Sequence, residues 1–161
     1  AYGDAQLKLY GEILPGGFLH YGYFDNPDTL PQDISLNDIK RAQRRYAELM
    51  VEQIVNRDEL VLDIGCGMGG MTKMMLDDGL CPVALSPDKN QIRHIKSQYP
   101  DVPTIESKFE MMPVKNRPQK YGTLLTAESL QYLDLDKALP LMDELLLPGG
   151  RWIACDYFRL D

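Results

Sequence analysis

From residue 60 onward the chain alternates short apolar runs with stretches of helical spacing, a pattern that few folds accommodate. The clearest run, Leu60-Val61-Leu62-Asp63-Ile64, is continuous rather than alternating, as in a strand buried on both faces. The loop Gly65-Cys66-Gly67-Met68-Gly69-Gly70 follows, and the spacing predicts a helix from about Gly69 to Asp78. Cys81–Leu85 reads as a second strand, and Pro87, suited to a first helical turn, opens a helix carrying Ile92 and Ile95. Val102–Ile105 and Tyr121–Thr126 read as a third and a fourth strand. Helical segments over about 128–147 and a Pro148-Gly149-Gly150 turn then lead into a fifth strand over 151–158. Strands separated by helices with short loops predict an α/β fold: an open, mainly parallel sheet with helices on both faces. Such sheets bind ligands at the carboxyl ends of their strands, where the strand order reverses. Residues just after strands 1 to 4 are therefore the candidates for a site.

Upstream, residues 1–34 are rich in Gly, Pro, Asp and aromatics and show little periodicity beyond a short helix near 5–13. SLNDIKRAQRRYAELMVEQIV then reads as one amphipathic helix, with Ser35 and Asp38 as a variant capping box. Leu36, Ile39, Ala42, Tyr46, Leu49 and Met50 form its apolar face, and Asn56-Arg57-Asp58 end it. The organisation expected is an N-terminal segment, 1–34, before a single α/β domain, 35–161; a chain of 161 residues can build one sizeable core but not two.

The balance of charge narrows the function. A net charge of −7 argues against nucleic acid, whose affinity comes from Lys and Arg neutralising phosphates. The basic group Lys40, Arg41, Arg44 and Arg45 falls on one helix and reads as a solvated face. Cys66, Cys81 and Cys155 lack any CxxC spacing, which suits a reducing, cytoplasmic setting with each thiol a small buried hydrophobe. Two histidines and no cysteine pair supply no metal-ligand set. No apolar stretch approaches the ~18 residues of a membrane span, and AYGDAQLKLYGEILPGG lacks the layout of a secretory signal.

The glycine loop raises the central question. Gly65, Gly67 and Gly70 fit G-x-G-x-x-G, which by itself would suggest a nicotinamide-dependent oxidoreductase. A dinucleotide site also calls for an acid about 20 residues on, at the end of the second strand. Here that strand ends Ala84-Leu85-Ser86, and Asp88 comes late. Asp63, inside the apolar run, is the other departure. A buried carboxylate needs hydrogen-bond partners, for which the loop's amides are nearest, and its charge repels pyrophosphate while favouring a cation. The loop reads as built for a cationic ligand without phosphate.

LDIGCGMGG resembles motif I of the class I S-adenosylmethionine-dependent methyltransferases. FLHYGYFDN at 18–26, SLNDIKRAQ at 35–43, SKFEMMP at 107–113, ESLQYL at 128–133 and LLPGGRWIACDYF at 146–158 extend the likeness. They are similar to the branch that holds cyclopropane-fatty-acid synthases and tocopherol, coclaurine and glycine/sarcosine-type enzymes. The resemblance implies a Rossmann-like sheet of order 3-2-1-4-5 with two further strands, which would lie beyond Asp161. The 150–158 edge would then be paired by those strands or by another chain.

The resemblance also implies roles. Asp63, Gly65, Gly67 and Gly69, with Cys66 in the same loop, would frame the methionyl part of S-adenosylmethionine, and S-adenosylhomocysteine would be the product. Ala84 and Leu85 would line ribose and adenine; with no acid at Ala84, Gln91 is the candidate ribose contact. Phe109, Glu110 and Met111 would meet the adenine, although Phe109 and Met111 also read as plain core residues. Thr126 and Ala127 would pass the sulfur, and Tyr21 or Tyr23 would close over it through a cation–π contact. Catalytic candidates are Glu128, Gln131, Tyr132 and His20, the last also reading as a packed structural side chain. Cyclopropane synthases typically carry Glu and His where Gln131 and Tyr132 stand, so lipid cyclopropanation is disfavoured. A small-molecule acceptor methylated at N, O or C is expected, and a non-catalytic donor-binding domain is the further alternative.

Overall fold

The computed structural model describes residues 11–157 except 15, 27, 114, 116, 118 and 119. Five strands, β1 (Leu60–Ile64), β2 (Cys81–Ser86), β3 (Thr104–Glu106), β4 (Tyr121–Ala127) and β5 (Leu146–Cys155), make one sheet of order β3-β2-β1-β4-β5. Every neighbouring pair is parallel. Helices α1 (Leu36–Val51), α2 (Gly70–Asp77), α3 (Lys89–Gln98) and α4 (Leu135–Leu145) pack on it. The period of two along each strand sorts the core into layers. Leu62, Ile64, Val83, Leu85 and Leu124 face Ala138, Leu141, Met142 and Leu145 of α4. Val61 and Leu125 point the other way, onto α1 and α2, and Ala84 points onto α3. Asp63 shares the phase of Val61, so its carboxyl lies on the α2 side. Strand order reverses between β1 and β4, where the expected crevice lies.

Several boundaries differ from expectation. The α1 capping box is complete: Asp38 N–H donates to the Ser35 hydroxyl, and Ser35 N–H donates to Asp38 at 2.9 Å. Losing this cap in Ser35→Ala should cost about 1 kcal/mol, a fall in Tm of about 2–4 °C in a thermal melt. The helix stops at Val51, short of Asn56, where the amides of Gln53 and Ile54 turn back only three residues, to the Met50 and Val51 carbonyls. Its buried face is Ala42, Gln43, Tyr46, Ala47, Met50 and Val51, rotated from the predicted one, and Leu36 is exposed. The C-terminal half of α1 is what meets Val61 and Leu125, so that half selects the face. On the opposite side Arg41, Arg44 and Arg45 pair with Asp38, Glu48 and Glu52 in solvent, as a solvated face should.

Asp88, not Pro87, caps α3, its carboxylate accepting from Asn90 N–H at 2.8 Å. The Pro148-Gly149-Gly150 stretch lies inside β5 rather than before it. The register jumps from Tyr121↔Leu146 to Thr123↔Arg151, so the extra residues bulge out of an edge strand, where proline costs no ladder bond. The strand ends at Cys155; Tyr157 is outside it, and 158 lies outside the described residues, as does 5–10 of the expected first helix. Cys66 is buried, whereas Cys81 and Cys155 are exposed, because each stands at a strand end rather than in a core layer. Among the described residues no helix is long and apolar enough to cross a membrane, and no group of His, Cys, Asp or Glu could hold a metal.

Candidate functional site: the glycine loop and its strap

The carboxyl ends of β1 and β4 are locked together. The Ser129 hydroxyl, just past β4, donates to the Ile64 carbonyl at 2.5 Å. Gly65 adopts φ +85°, and a Cβ there would stand 2.7 Å from Ser129 Cβ, so glycine is required twice over. The loop's amides are largely consumed internally. Gly65 and Cys66 N–H both donate to the Leu85 carbonyl (2.9 and 3.1 Å), Gly69 to Cys66 (3.0 Å) and Gly70 to Gly17 (3.1 Å). This corrects the expectation that loop amides serve Asp63. Its partner is the Thr72 hydroxyl on α2, at 2.9 Å from Oδ2. With one donor for a fully buried carboxylate, burial pushes the Asp63 pKa up to about 6, and Thr72 pulls the other way. Burial, then the Asp63 charge, pushes the Cys66 thiol well above its usual range, so it is no thiolate nucleophile.

Residues 16–23 cross over this loop as a strap. Gly17 O receives the Gly70 amide, and a Cβ on Gly67 (φ +54°) would meet Leu19 at 3.2 Å. His20 O accepts from Gln43 Nε2 at 2.8 Å, and Tyr23 N–H donates to Ala42 O at 2.9 Å, tying the strap to α1. Between strap and loop lies a cavity of about 40 Å³ whose walls include Asp63, Gly65, Cys66, Gly67, Ala127 and His20. Six residues singled out from sequence thus surround one space. A larger surface groove, about 890 Å³, lies instead along α1 and α2 and includes none of those six.

The remaining candidates are placed as follows. Gly69 (φ +85°) caps α2, and a Cβ there would stand 2.4 Å from Ile95 Cδ1, so it sets the packing of α2 against α3. Ala84 and Leu85 are buried in β2. Gln91 is bound to the end of that strand, its Oε1 accepting from the Ser86 hydroxyl at 2.6 Å. Phe109 packs in the core at 1% exposure while Met111 is 71% exposed, so the core reading holds for the first side chain and fails for the second. Glu110 accepts from Asp134 N–H at 2.6 Å, at the start of α4. Thr126 is buried and accepts from Trp152 Nε1 at 3.0 Å.

Beyond β4, Glu128 sits at φ +50° and both its carboxylate oxygens accept from Tyr21 N–H at 3.0 Å. Burial, chiefly, raises its pKa, the Asp156 charge adds to this, and the Tyr21 bond opposes it. Tyr132 is 74% exposed; Gln131 is exposed too, but its amide donates to the Glu128 carbonyl and accepts from the Tyr157 hydroxyl, each at 3.4 Å. Tyr21, 71% exposed, meets Tyr157 edge-on at 5.8 Å between ring centres. Sequence reasoning passed over Thr72, Ser86 and Ser129. Each is a small hydroxyl residue whose partner lies on another element, and only Ser86, at a strand end, carried a local signal.

A parallel sheet with this order and a glycine loop at its switch point is the doubly wound class of α/β domain, which binds its ligands at that loop. Within that class, residues 62–154 match the methyltransferase domain family. The chain belongs to that family. An uncharacterized methyltransferase of Alkaliphilus oremlandii is 26% identical over 100 residues, 60% of this chain and 45% of the relative. The geranyl diphosphate C-methyltransferase of Streptomyces coelicolor A3(2), solved with Mg2+, geranyl-S-thiolodiphosphate and S-adenosyl-L-homocysteine, superposes at TM-score 0.72 and 18% identity, over 90% of this chain and 58% of that one. Coclaurine N-methyltransferase, bound to N-methylheliamine and S-adenosylhomocysteine, superposes at 0.66 and 16%, over 88% and 42%. The chain thus spans less than half of the curated relative and about three-fifths or less of these solved enzymes.

Proposed function

We propose that the protein transfers the methyl group of S-adenosylmethionine to N, O or C of a small-molecule acceptor and releases S-adenosylhomocysteine. The observation that carries this reading is the pairing of a buried, donor-poor Asp63 with a glycine loop, 65–70, four of whose six amides are already occupied. Such a loop offers little to a pyrophosphate, and the acid beneath it favours a cation such as a sulfonium amino acid. Family membership and the ligands of the structural neighbours support the same choice. The dinucleotide alternative loses its remaining ground at Asp88, which caps α3 instead of ending β2.

In this reading residues 1–34 supply the strap and 35–161 the donor domain. Asp63, Gly65, Cys66 and Gly67 frame the methionyl part, with Gly69 holding the loop's end. The Ser86–Gln91 pair stands at the end of β2, where Ala84 and Leu85 would line ribose and adenine. Phe109, Glu110 and Met111 would border the adenine, and Thr126 and Ala127 the sulfur. Tyr21 and Tyr23 belong to the closing strap.

Methyl transfer from a sulfonium is an in-line displacement by an already activated donor, so holding the acceptor in line and excluding water carry most of the catalysis. A base is needed only where the acceptor's proton must leave. Glu128, its pKa raised by burial and its carboxylate bonded to the strap, is the best placed of the four catalytic candidates, ahead of the exposed Gln131 and Tyr132 and of His20. In a thermal-shift assay S-adenosylhomocysteine at about 100 times its Kd should add about 2.7 kcal/mol of apparent stability, and NAD nothing. Stabilisation by NAD alone would overturn the proposal.

A further inference from the structure

His20 is 8% exposed, and one of its nitrogens has no partner. Nδ1 lies 2.5 Å from the Tyr21 carbonyl oxygen, which can only accept, so Nδ1 carries the hydrogen. Nε2 is then a bare lone pair, buried and without a donor. The ring is held firmly: it stacks on Tyr46 with 4.2 Å between centres and lies 5.0 Å from Phe18. Tyr46 is in turn anchored by its hydroxyl to the Cys155 carbonyl at 2.7 Å. Because Nδ1 is bonded to the strap's own backbone, Nε2 is the ring nitrogen left on the far edge, shielded from solvent. His20 and Asp63 line the same small cavity.

A buried acceptor without a donor costs roughly as much as a lost hydrogen bond, and structures seldom keep one without cause. Two acceptors border this cavity, the Asp63 carboxylate with its single Thr72 bond and the His20 lone pair. Both are short of a donor. A hydroxyl could satisfy one of the two, whereas a primary ammonium brings three N–H groups and the charge that Asp63 favours.

We infer that His20 is a donor-positioning residue: its Nε2 accepts a hydrogen bond from the α-ammonium of the bound sulfonium amino acid, which Asp63 holds from the other side. This rests on the donor reading above. It gives the strap a chemical task, since His20 can make that bond only when residues 16–23 lie down over the loop.

Calorimetry on the intact protein with two ligands tests it. S-adenosylhomocysteine carries the ammonium; 5′-methylthioadenosine has the same nucleoside and sulfur without the amino acid. His20→Asn keeps an N–H near the Tyr21 carbonyl and removes the Nε2 acceptor, while His20→Gln can place a carbonyl oxygen near the Nε2 position. His20→Asn should weaken S-adenosylhomocysteine about 10- to 100-fold and leave methylthioadenosine within about threefold, with His20→Gln restoring most of the loss. Equal losses for both ligands, or a glutamine no better than asparagine, would make His20 a packing residue and overturn the inference. Should the variants misfold, the wild-type Nε2 resonance decides by 15N NMR. It should move on adding S-adenosylhomocysteine and stay on adding methylthioadenosine; an unmoved signal overturns the inference. A wild-type protein that binds neither ligand would instead bring down the donor reading, and this assignment with it.

Discussion

Asp63→Asn should melt higher than the native protein at neutral pH and bind S-adenosylhomocysteine at least about 100-fold more weakly. The two effects share one cause. Burial raises the Asp63 pKa from 3.8 to about 6, so the folded protein holds this carboxyl's proton more tightly than the unfolded chain does. Below about pH 3 both states are protonated and the group is neutral in its effect. As the pH climbs through the window between those two values, the unfolded chain ionises first, and the folded state is progressively penalised. Above about pH 6 the penalty is complete, roughly 2–3 kcal/mol. Asparagine keeps the shape and an oxygen for Thr72 but has no charge to desolvate. The variant should gain about 5–10 °C in Tm at pH 7.5 and nothing near pH 3. The same charge is what a cationic ligand needs, so stability and donor binding oppose each other at this residue. Gly65→Val should destroy binding by another route. Its φ of +85° disfavours valine, and a Cβ 2.7 Å from Ser129 Cβ would prise the β1 and β4 loops apart. A folded Asp63→Asn protein with native affinity would show that the donor lies elsewhere.

How much of this was legible in the sequence depends on how local the determinant is. Ser35 and Asp38 form their capping box within four residues, and the spacing showed it in advance. The apolar runs likewise announced the parallel strands, and the resemblance supplied their order. The Pro148-Gly149-Gly150 stretch misled because its signals are those of a turn, while an edge strand tolerates them as a bulge. At the site, glycine spacing located the loop but not where its amides go, since Leu85 and Gly17 are distant in the chain. Gln91, Glu110 and Glu128 were chosen by position. What each binds, respectively Ser86, the Asp134 amide and the Tyr21 amide, depends on how loops from different strands meet. His20 shows the limit most sharply. Its aromatic neighbours in the sequence suggested a packed side chain, and packing is what leaves Nε2 without a partner.

Gly22→Val should release the strap while leaving the α/β domain folded. A Cβ at Gly22 would lie 2.5 Å from Ala42 Cβ, 2.7 Å from the Ala42 carbonyl carbon and 2.9 Å from Gln43 N. Backbone on a helix cannot yield that much, so residues 20–23 must lift off α1 and give up the bonds to Ala42 and Gln43. The strap meets the sheet's own cores only at their edge: Phe18 packs at the margin of one, and the His20 ring stacks on its Tyr46. The variant's Tm should therefore change by no more than about 1–3 °C, the range of an ordinary surface substitution. Donor binding should respond far more strongly. With the strap down the enclosed space is about 40 Å³. That is room for an ammonium group and not for a whole donor, whose site takes about 300 Å³ or more, so seating the donor's amino-acid end there requires the strap to lift. Closure then sets the residence time, and losing it should speed dissociation about 10- to 100-fold with little change in association. Limited proteolysis should nick the variant between residues 16 and 23, even with S-adenosylhomocysteine present. Native dissociation kinetics in a protein cut there would mean that the strap covers the loop without closing the site.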